Sequence, residues 1–215
     1  MMKENYQKQL EEILERPDIR GKKLLLHSCC APCSSYVLEY LRKIFKITVF
    51  YYNPNITSAE EYHKRVEEEK RFICEYNRQN IGFPVSYMDG EYRPSDFFDA
   101  VRGLEDCREG GERCFSCYAL RLRETANKAR LGKYDFFATT LTISPLKNAD
   151  KLNEIGKALE KEYGVLWLPS DFKKKNGYKR SIELSEEYGL YRQDYCGCCF
   201  SKAEREEQKA KRRRE

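Results

Sequence analysis

The chain has 215 residues, of which 35% are charged, and its formal net charge is +5. This length suffices for one domain with a hydrophobic core, and no apolar run approaches the ~20 residues that span a membrane, so we expect a soluble protein. Residues 1–18 form a charged amphipathic helical pattern without the apolar segment or cleavage site of a secretion signal. We therefore expect a cytoplasmic protein with no membrane partner.

Five short apolar runs have the length and the β-branched or aromatic content of strands, and helical patterns separate them. In chain order the strands are KLLLH, ITVFYY, FPVSYM, YDFFAT and GVLWL, and the helices span residues 31–44, 58–80, 113–129 and 149–163. This alternation predicts a single α/β domain with a parallel sheet covered on both faces. Within that domain we expect a cysteine-rich insertion around residues 103–118 and a cysteine-rich segment over residues 190–215.

Ten cysteines are the most informative feature of the composition. Cytosolic reductants keep thiols reduced, so a cysteine-dense cytosolic chain is more often metal-binding or catalytic than disulfide-linked. Disulfides remain an alternative, because abundant Lys, Glu and Arg are typical of thermophilic proteins, in which intracellular disulfides occur. Cys74 lies alone in a charged helical pattern and is interpreted as a small buried hydrophobic residue.

The turn after the first predicted strand contains Cys29, Cys30 and Cys33. In an open parallel sheet the ligand site lies at the carboxyl ends of the strands, and nucleotide-binding proteins place a glycine-rich phosphate loop in this turn. Here thiols take its place. The positive end of the following helix favours thiolate over thiol, so the turn is suited to metal binding.

Two further cysteine groups occur in DCREGGERCFSC and YCGCC, and the first contains a CxxC spacing that can chelate one metal centre. A single structural zinc would need only four thiolates, as would one cuboidal iron–sulfur cluster, whereas the three groups offer nine. Adjacent side chains on extended backbone point to opposite sides, which predicts that Cys29 and Cys30 serve two neighbouring centres. The predicted ligands are Cys29, Cys30, Cys107, Cys114, Cys117, Cys196, Cys198 and Cys199.

Four motifs together resemble one family: HSCCAPC, GERCFSCYALRLRETA, ATTLTISPLKN and YRQDYCGCCFS. In this order they are similar to the epoxyqueuosine reductases of the QueH type, over nearly the whole chain. The resemblance implies an adenine nucleotide alpha-hydrolase-like (Rossmann-like) three-layer fold, a [4Fe-4S] cluster and a second mononuclear metal, iron or zinc. It also implies that the substrate is tRNA carrying epoxyqueuosine, and we expect a low-potential donor such as ferredoxin or flavodoxin to supply the electrons.

Reduction of the epoxide to the alkene of queuosine takes two electrons and two protons. A cluster can deliver electrons singly, and a second metal can act as a Lewis acid on the epoxide oxygen. The candidate proton donors adjoin the cysteine groups and are His27, Asp106, Asp194 and Tyr195. His27 can equally be a hydrogen-bonded core residue, and the two aspartates can be caps, partners of metal ligands or metal ligands themselves.

The candidate substrate-binding residues fall into three sets, each with a structural alternative. Aromatic and amide side chains after the second strand can stack on and bind a flipped base, or pack in the core. Polar side chains after the fourth strand can hold a phosphate or the substrate diol, or cap a helix. Helical arginines can contact tRNA phosphates, or form a solvated face. These sets are Tyr51, Tyr52 and Asn53; Thr140, Thr142, Ser144 and Lys147; and Arg113 and Arg121.

Two other functions fit parts of the pattern. A tRNA-sulfurating iron–sulfur enzyme of the same fold group would need ATP, but HSCCAPC replaces the expected phosphate loop. A non-catalytic zinc-bound RNA-binding protein would need only four of the cysteines.

Overall fold

The computed structural model describes residues 4–213. Five parallel strands form one sheet in the order β3-β2-β1-β4-β5. The strands are β1 (Lys23–His27), β2 (Lys46–Tyr51), β3 (Ser86–Asp89), β4 (Phe136–Thr139) and β5 (Leu166–Trp167). The helices are α1 (Tyr6–Leu14), α2 (Ala31–Leu41), α3 (Ala59–Asn77), α4 (Pro94–Ala100), α5 (Glu112–Leu131), α6 (Ala149–Tyr163), α7 (Gly177–Glu187) and α8 (Cys199–Arg212), and a 3-10 helix spans Thr140–Ile143.

The central strand β1 is buried on both faces, which explains its unbroken apolar sequence. Leu24 and Leu26 join a core cluster that includes residues of α2, α3 and α7, whereas Leu25 joins a second cluster that includes residues of α5 and α6. Side chains alternate across a strand, so these neighbours serve opposite faces of the sheet. The predicted three-layer α/β fold with a parallel sheet is confirmed.

The carboxyl ends of β1 and β4 lie side by side at the centre of the sheet. His27 is in register with Phe50 on one side and with Thr139 on the other. Because the chain crosses from β3 at one edge to β4 beside β1, the strand order reverses here, and such a switch point is where open α/β sheets bind ligands. The turn after β1 and the 3-10 helix after β4 therefore form the floor of any site.

Two helices were not predicted. α4 is short and begins with a proline in its first turn, and α7 follows the basic run KKKN. Cys74, predicted to be buried, is exposed, because α3 turns Phe72, Ile73 and Tyr76 inward and leaves residue 74 on its outer face. Within residues 4–213, no helix is long and apolar enough to cross a bilayer.

Candidate metal centre

Cys29, Cys30 and Cys33, here called the turn thiols, converge at the junction of β1 and α2. Cys30 is the N-terminal cap of α2, and its carbonyl accepts hydrogen bonds from the amides of Cys33 and Ser34 at 3.0 and 3.1 Å. This first helical turn brings Cys33 back beside the other two. All three Sγ atoms lie within 4.8 Å of one another, and those of Cys29 and Cys30 are 3.8 Å apart.

The expectation that Cys29 and Cys30 point to opposite sides is therefore wrong. It assumed that extended backbone continues past β1, but the chain bends at Cys29 before it enters α2. The bend cancels the alternation of a strand and turns both sulfur atoms to the same side.

The sulfur spacing of the turn thiols fits one mononuclear ion. Zn–S bonds of about 2.3 Å place two sulfurs of a tetrahedral site about 3.8 Å apart, and the Cys29–Cys30 distance is 3.8 Å. Thiolates of a cuboidal cluster bind different irons and diverge, so they lie farther apart. Three thiols around one ion leave a fourth position open, as in catalytic rather than structural sites.

The turn thiols also stabilise a negative charge among themselves. Hydrogen bonds from Cys30 and then Cys33 hold the pKa of Cys29 well below its ordinary value, and Thr140 Oγ1 lies 3.6 Å from its sulfur. The same contacts raise the pKa of Cys33. The lowered pKa favours a thiolate at Cys29, and its largest cause is the hydrogen bonds from the neighbouring thiols.

A second group, here called the α5–α8 thiols, lines one cavity. Its members are Cys114 and Cys117 of α5 and Cys196 and Cys198, which precede α8. Spacing of three residues places the first two on one helix face. Gly197, between the other two, has a φ of +116° and no room for a side chain, because a Cβ would lie 2.8 Å from Ile56 Cγ1.

Polar hydrogens and cations surround the α5–α8 thiols. The amide of Gly110 lies 3.2 Å from the Cys114 sulfur, and the amide of Ser201 lies 3.3 Å from the Cys198 sulfur. Lys147 and Arg121, both buried, line the same cavity. N–H groups and buried cations of this kind compensate the charge of thiolates.

The α5–α8 thiols match the ligands of a cuboidal cluster in number. No three of their sulfur atoms come within 4.8 Å of one another, in contrast to the turn thiols. Cys196 lines this cavity and also the larger pocket, of about 250 Å³, that covers the turn thiols. The two groups therefore adjoin one pocket.

Two predicted ligands, Cys107 and Cys199, are not brought to either group. Cys107 lines a separate surface hollow, and Cys199 is exposed at the first position of α8, on the opposite side of the chain from the inward-facing Cys198. Cys33, which the predicted ligand set omitted, takes a place among the turn thiols. Cys33 lies three residues after Cys30, about one helical turn, and this spacing could have predicted that the two thiols lie together.

His27 is a core residue. Its Nδ1 lies 2.9 Å from Thr139 Oγ1 and its Nε2 lies 3.1 Å from the carbonyl of Tyr52, so both ring nitrogens have partners. Burial, reinforced by the charge of Arg121, lowers the pKa of His27 to about 3. A neutral, fully buried imidazole is a poor proton donor, so of the two interpretations the structure favours the core.

The three remaining candidate proton donors differ in position. Asp106 is exposed and lines the same outer hollow as Cys107. Asp194 lies at the pocket, but it is half-exposed and its carboxylate pairs with Lys209 at 2.5 Å, which lowers its pKa. Tyr195 lines the pocket, and burial raises its pKa, so it carries its proton at neutral pH. Of these three residues, only Tyr195 both lines the pocket and carries a proton at neutral pH.

The residues predicted to stack on or bind a flipped base are buried. Tyr51 is fully buried, Tyr52 donates to Asp96 at 3.3 Å, and Asn53 donates to the carbonyl of Ser28 at 2.8 Å. Tyr51 is the last residue of β2 and the other two follow it, and all three lie in the interior because both faces of the sheet are covered. The core interpretation holds for Tyr51, and none of the three can stack on a base.

The polar residues after β4 divide between structure and site. Thr140 accepts from the amide of Cys29 at 3.3 Å, while Thr142 pairs with Ser170 at 3.0 Å in the interior. Ser144 lines the pocket and accepts from the amide of Leu146 at 3.3 Å. The helix cap at this point is Asn148, which follows Lys147, and its side chain accepts from the amide of Lys151 at the start of α6. Lys147 lines the pocket and pairs with Glu109 at 3.0 Å.

Arg113 and Arg121 do not form a phosphate-binding surface. Both lie on the inward face of α5 and are 3% and 1% exposed. Arg113 pairs with Glu204 at 2.7 Å, and Arg121 donates to the carbonyl of Cys117 at 3.3 Å. Eight residues separate them, which places them on the same helix face, and that face packs toward the interior.

Two pocket residues that the sequence did not single out have unsatisfied polar atoms. Arg65 donates to Glu61 at 2.7 Å and to the carbonyl of Cys196 at 3.1 Å, but its buried Nη2 has no partner. Gln193 has a buried Oε1 without a partner. Both residues line the pocket over the turn thiols. Because unpaired buried groups are costly, these atoms indicate where a ligand binds.

Glu69 is a third residue that the sequence reading missed. It is fully buried beneath the turn thiols, where it accepts from Ser28 Oγ at 3.1 Å, and burial raises its pKa to about 8. A signal was present: Glu69 continues the buried stripe of Tyr62, Val66 and Tyr76 along α3. A carboxyl group within an otherwise apolar helical stripe predicts a buried hydrogen bond.

The family model described as epoxyqueuosine reductase QueH matches residues 24–204. Similar proteins carry the same name. That of Streptococcus pyogenes serotype M1 is 45% identical over 193 residues, which cover 90% of this chain and 75% of that protein. Those of Staphylococcus epidermidis and Thermotoga maritima are 42% and 37% identical, covering 92% and 87% of this chain and 84% and 94% of those proteins.

Among solved structures, the chain is similar to the U34-tRNA thiolase NcsA from Methanococcus maripaludis with its [4Fe-4S] cluster. The TM-score is 0.51 at 14% identity, and the match covers 91% of this chain and 67% of the thiolase chain. At this identity the likeness concerns the fold, and it confirms the predicted nucleotide alpha-hydrolase-like architecture.

Proposed function

We propose, from the premise that the chain belongs to the epoxyqueuosine reductase QueH family, that it is an oxidoreductase that reduces epoxyqueuosine to queuosine in tRNA. One observation carries the proposal: a three-thiol group with the geometry of a mononuclear site and a four-thiol group with the number of ligands of a cluster adjoin the same pocket. A tRNA substrate supports a cytoplasmic location as part of this proposal.

We assign the turn thiols to a single ion, iron or zinc, and the α5–α8 thiols to a [4Fe-4S] cluster. The turn thiols fit a single ion in number and spacing, and the α5–α8 thiols fit a cluster in number and in charge compensation. When bound, the cluster supplies electrons one at a time, and the single ion supplies a Lewis-acidic position next to the pocket. The electrons come from a low-potential donor of the ferredoxin or flavodoxin type.

The overall reaction fixes what the protein must provide. Both carbon–oxygen bonds of the epoxide break, a carbon–carbon double bond forms, and the oxygen leaves as water after taking up two protons and two electrons. Negative charge therefore develops on that oxygen. The residues of the pocket must stabilise this charge and deliver a proton to it.

Arg65 is placed to stabilise the developing negative charge. Its guanidinium donates to Glu61 and to the carbonyl of Cys196, which fixes the side chain and leaves the buried Nη2 as a donor without a partner. The side chain is 2% exposed, so water does not screen its charge. A fixed donor in a buried site is most useful where charge appears only as the bond breaks.

Tyr195 is placed to donate a proton to the same oxygen. Its ring centroid lies 5.4 Å from the Arg65 guanidinium carbon, and the raised pKa keeps its phenol protonated until a strong base forms beside it. An alkoxide is such a base. The cation of Arg65 then stabilises the resulting tyrosinate.

We assign Gln193 and Lys147 to binding and orienting the substrate. The unpaired Oε1 of Gln193 can accept a hydrogen bond from a hydroxyl of the substrate's diol, which would satisfy a buried acceptor. Lys147 lines both cavities and stays charged, because burial, which lowers its pKa, is outweighed by Cys196, Tyr118 and Glu109, which raise it. It therefore offsets negative charge between the two thiol groups.

The test combines metal analysis with turnover. Protein purified without oxygen should contain about four iron and four sulfide per chain together with one further metal ion. With a strong reductant and without ATP, it should convert epoxyqueuosine in tRNA to queuosine, measured by nucleoside analysis after digestion. Stoichiometric zinc without sulfide, or turnover that depends on ATP, would contradict the proposal.

A further inference from the structure

The rim of the pocket over the turn thiols exposes an aromatic and an aliphatic side chain. Tyr178 is 38% exposed and Leu146 is 59% exposed, and they are two of the six large hydrophobic side chains that the described residues expose. Both line the same pocket as the turn thiols. An apolar surface therefore continues outward from the reaction site.

Two arginines accompany these side chains, and neither has a carboxylate partner among residues 4–213. Arg192 donates to Ser185 Oγ at 3.0 Å and lies 5.9 Å from the centre of the Tyr178 ring, and Arg205 donates to the carbonyl of Asp194 at 2.9 Å. The Asp194 carboxylate itself pairs with Lys209. Neither guanidinium is therefore neutralised by a close ion pair, although the charge of Arg205 helps to lower the pKa of Asp194.

The two arginines of this rim differ from other arginines of the chain that are paired with carboxylates. Arg180, on the same helix as Tyr178, pairs with Glu39 at 2.8 Å, and Arg71 pairs with Glu68 at 3.0 Å. Such ion pairs neutralise positive charge that would otherwise attract a polyanion. The free guanidinium groups are found where the pocket opens.

The backbone holds Tyr178 in place. The preceding residue, Gly177, packs so closely that a Cβ would lie 2.0 Å from the carbonyl oxygen of Phe172 and 2.4 Å from the ring of Tyr36. Tyr178 then occupies the first turn of α7, where its carbonyl accepts from Ser181 Oγ at 2.7 Å. Its ring is presented at the rim without a need for rearrangement, which lowers the cost of stacking a ligand on it.

We propose that this rim, formed by Leu146, Tyr178, Arg192 and Arg205, is a binding subsite for the nucleotide next to epoxyqueuosine in the RNA chain. The neighbouring base stacks on Tyr178 and Leu146, and the two arginines contact the phosphates that flank it. Aromatic platforms beside uncompensated arginines are the general means of binding single-stranded nucleic acid. The proposal rests on the proposed function, since it needs the modified nucleotide in the pocket.

The test measures binding separately from turnover. Holoenzyme without reductant is titrated with fluorescently labelled tRNA that carries epoxyqueuosine, at several salt concentrations. Tyr178→Ala should raise the Kd about tenfold, whereas Tyr178→Phe should leave it nearly unchanged, because the ring and not the hydroxyl stacks. Arg192→Gln and Arg205→Gln should each lower the slope of log Kd against log salt by about 0.7.

Matched controls use side chains that do not line this pocket. Phe98, which is 45% exposed, is the control for Tyr178, and Arg102, paired with Asp99, is the control for the arginines. Phe98→Ala and Arg102→Gln should leave both the Kd and the salt slope unchanged. An unaltered visible spectrum in each variant shows that the metal site is intact.

Three outcomes would overturn the subsite. They are a Kd for Tyr178→Ala equal to that of Phe98→Ala, an unchanged salt slope in both arginine variants, and an effect on reduction by a protein electron donor without one on tRNA binding. The last outcome would assign the rim to the donor. Failure of the wild-type protein to reduce epoxyqueuosine would instead reject the proposed function, so the two failures are distinguishable.

Discussion

The turn thiols come from five consecutive positions at the end of one strand, whereas the α5–α8 thiols come from a helix and from a segment some eighty residues further along the chain. The local group is crowded, with Cys29 and Cys30 sulfurs 3.8 Å apart. The long-range group surrounds a cavity and is more widely spaced. The local group thus has the spacing of a single-ion site, whereas the long-range group draws its four thiols from two distant segments.

The two groups also differ in how they stabilise thiolates. Cys29 is stabilised mainly by the other two turn thiols. In the second group burial raises the pKa of Cys117 to about 11 and that of Cys198 to about 12. The pKa values of Cys30 and Cys33 are raised as well, so metal must displace protons from both groups, and loading of both should be favoured by rising pH.

The largest expected effect follows from removing one α5–α8 thiol. Cys198→Ser should lose iron and sulfide together and reduce epoxyqueuosine at a rate below detection, because a hydroxyl is a poor ligand for a cluster iron. The matched control is the adjacent Cys199→Ser, since Cys199 is exposed at the start of α8. Equal iron and sulfide loss in both variants would contradict the assignment of Cys198.

A smaller effect is expected at the turn thiols. Cys29→Ser and Cys30→Ser should both lose the same single ion while keeping sulfide and the visible spectrum of the cluster, with turnover lowered by at least about 100-fold. Their sulfurs share one site, so the two variants should match. The control is the exposed Cys74, and Cys74→Ser should keep all metal. If the two variants lost different metals, Cys29 and Cys30 would bind separate centres, and the shared site would be contradicted.

The smallest expected effect concerns the support beneath the turn thiols. The pKa of Glu69 rises from its ordinary 4.5 to about 8, so between these values the native state holds a proton that the unfolded chain has lost. Stability therefore falls as pH rises through this window, by up to about 1.4 kcal/mol per pH unit.

Glu69→Gln keeps the shape of the protonated carboxyl and cannot ionise. Its free energy of unfolding in urea should exceed that of the wild-type protein by more at pH 8 than at pH 5.5. The metal content of both proteins must be held equal for this comparison. Parallel pH profiles would show that Glu69 does not carry its proton in the native state.

Much of the fold was predictable because apolar runs and helical patterns are local properties of the sequence. The strand KLLLH, its partners and the thiols at its carboxyl end followed from composition and from the geometry of parallel sheets. α4 was missed because it has only seven residues, whereas α7 has 11 residues, as many as α2, and its amphipathic pattern was overlooked. The bend at Cys29, which brings adjacent sulfurs together, depends on how α2 packs, and strand periodicity does not report it.

The assignment of arginines shows the same limit. Arg113 and Arg121 have the charge of phosphate contacts, but tertiary packing turns their face of α5 inward, where they pair with Glu204 and with carbonyl groups near the thiols. Arg192 and Arg205 face the pocket instead. Side-chain chemistry was readable from the sequence, whereas the direction of each side chain required the packed helices.

The α5–α8 thiols have a consequence for the order in which the protein is made. The proposed cluster at Cys117 and Cys198 would close a long chain loop, and within the described residues α8 itself buries only Ser201. Cluster insertion must therefore wait until residues 196–198 have been synthesised and have reached α5. Until then α8 is held by few contacts, so protease cleavage near residues 190–198 should report the fraction of chains that have not yet matured.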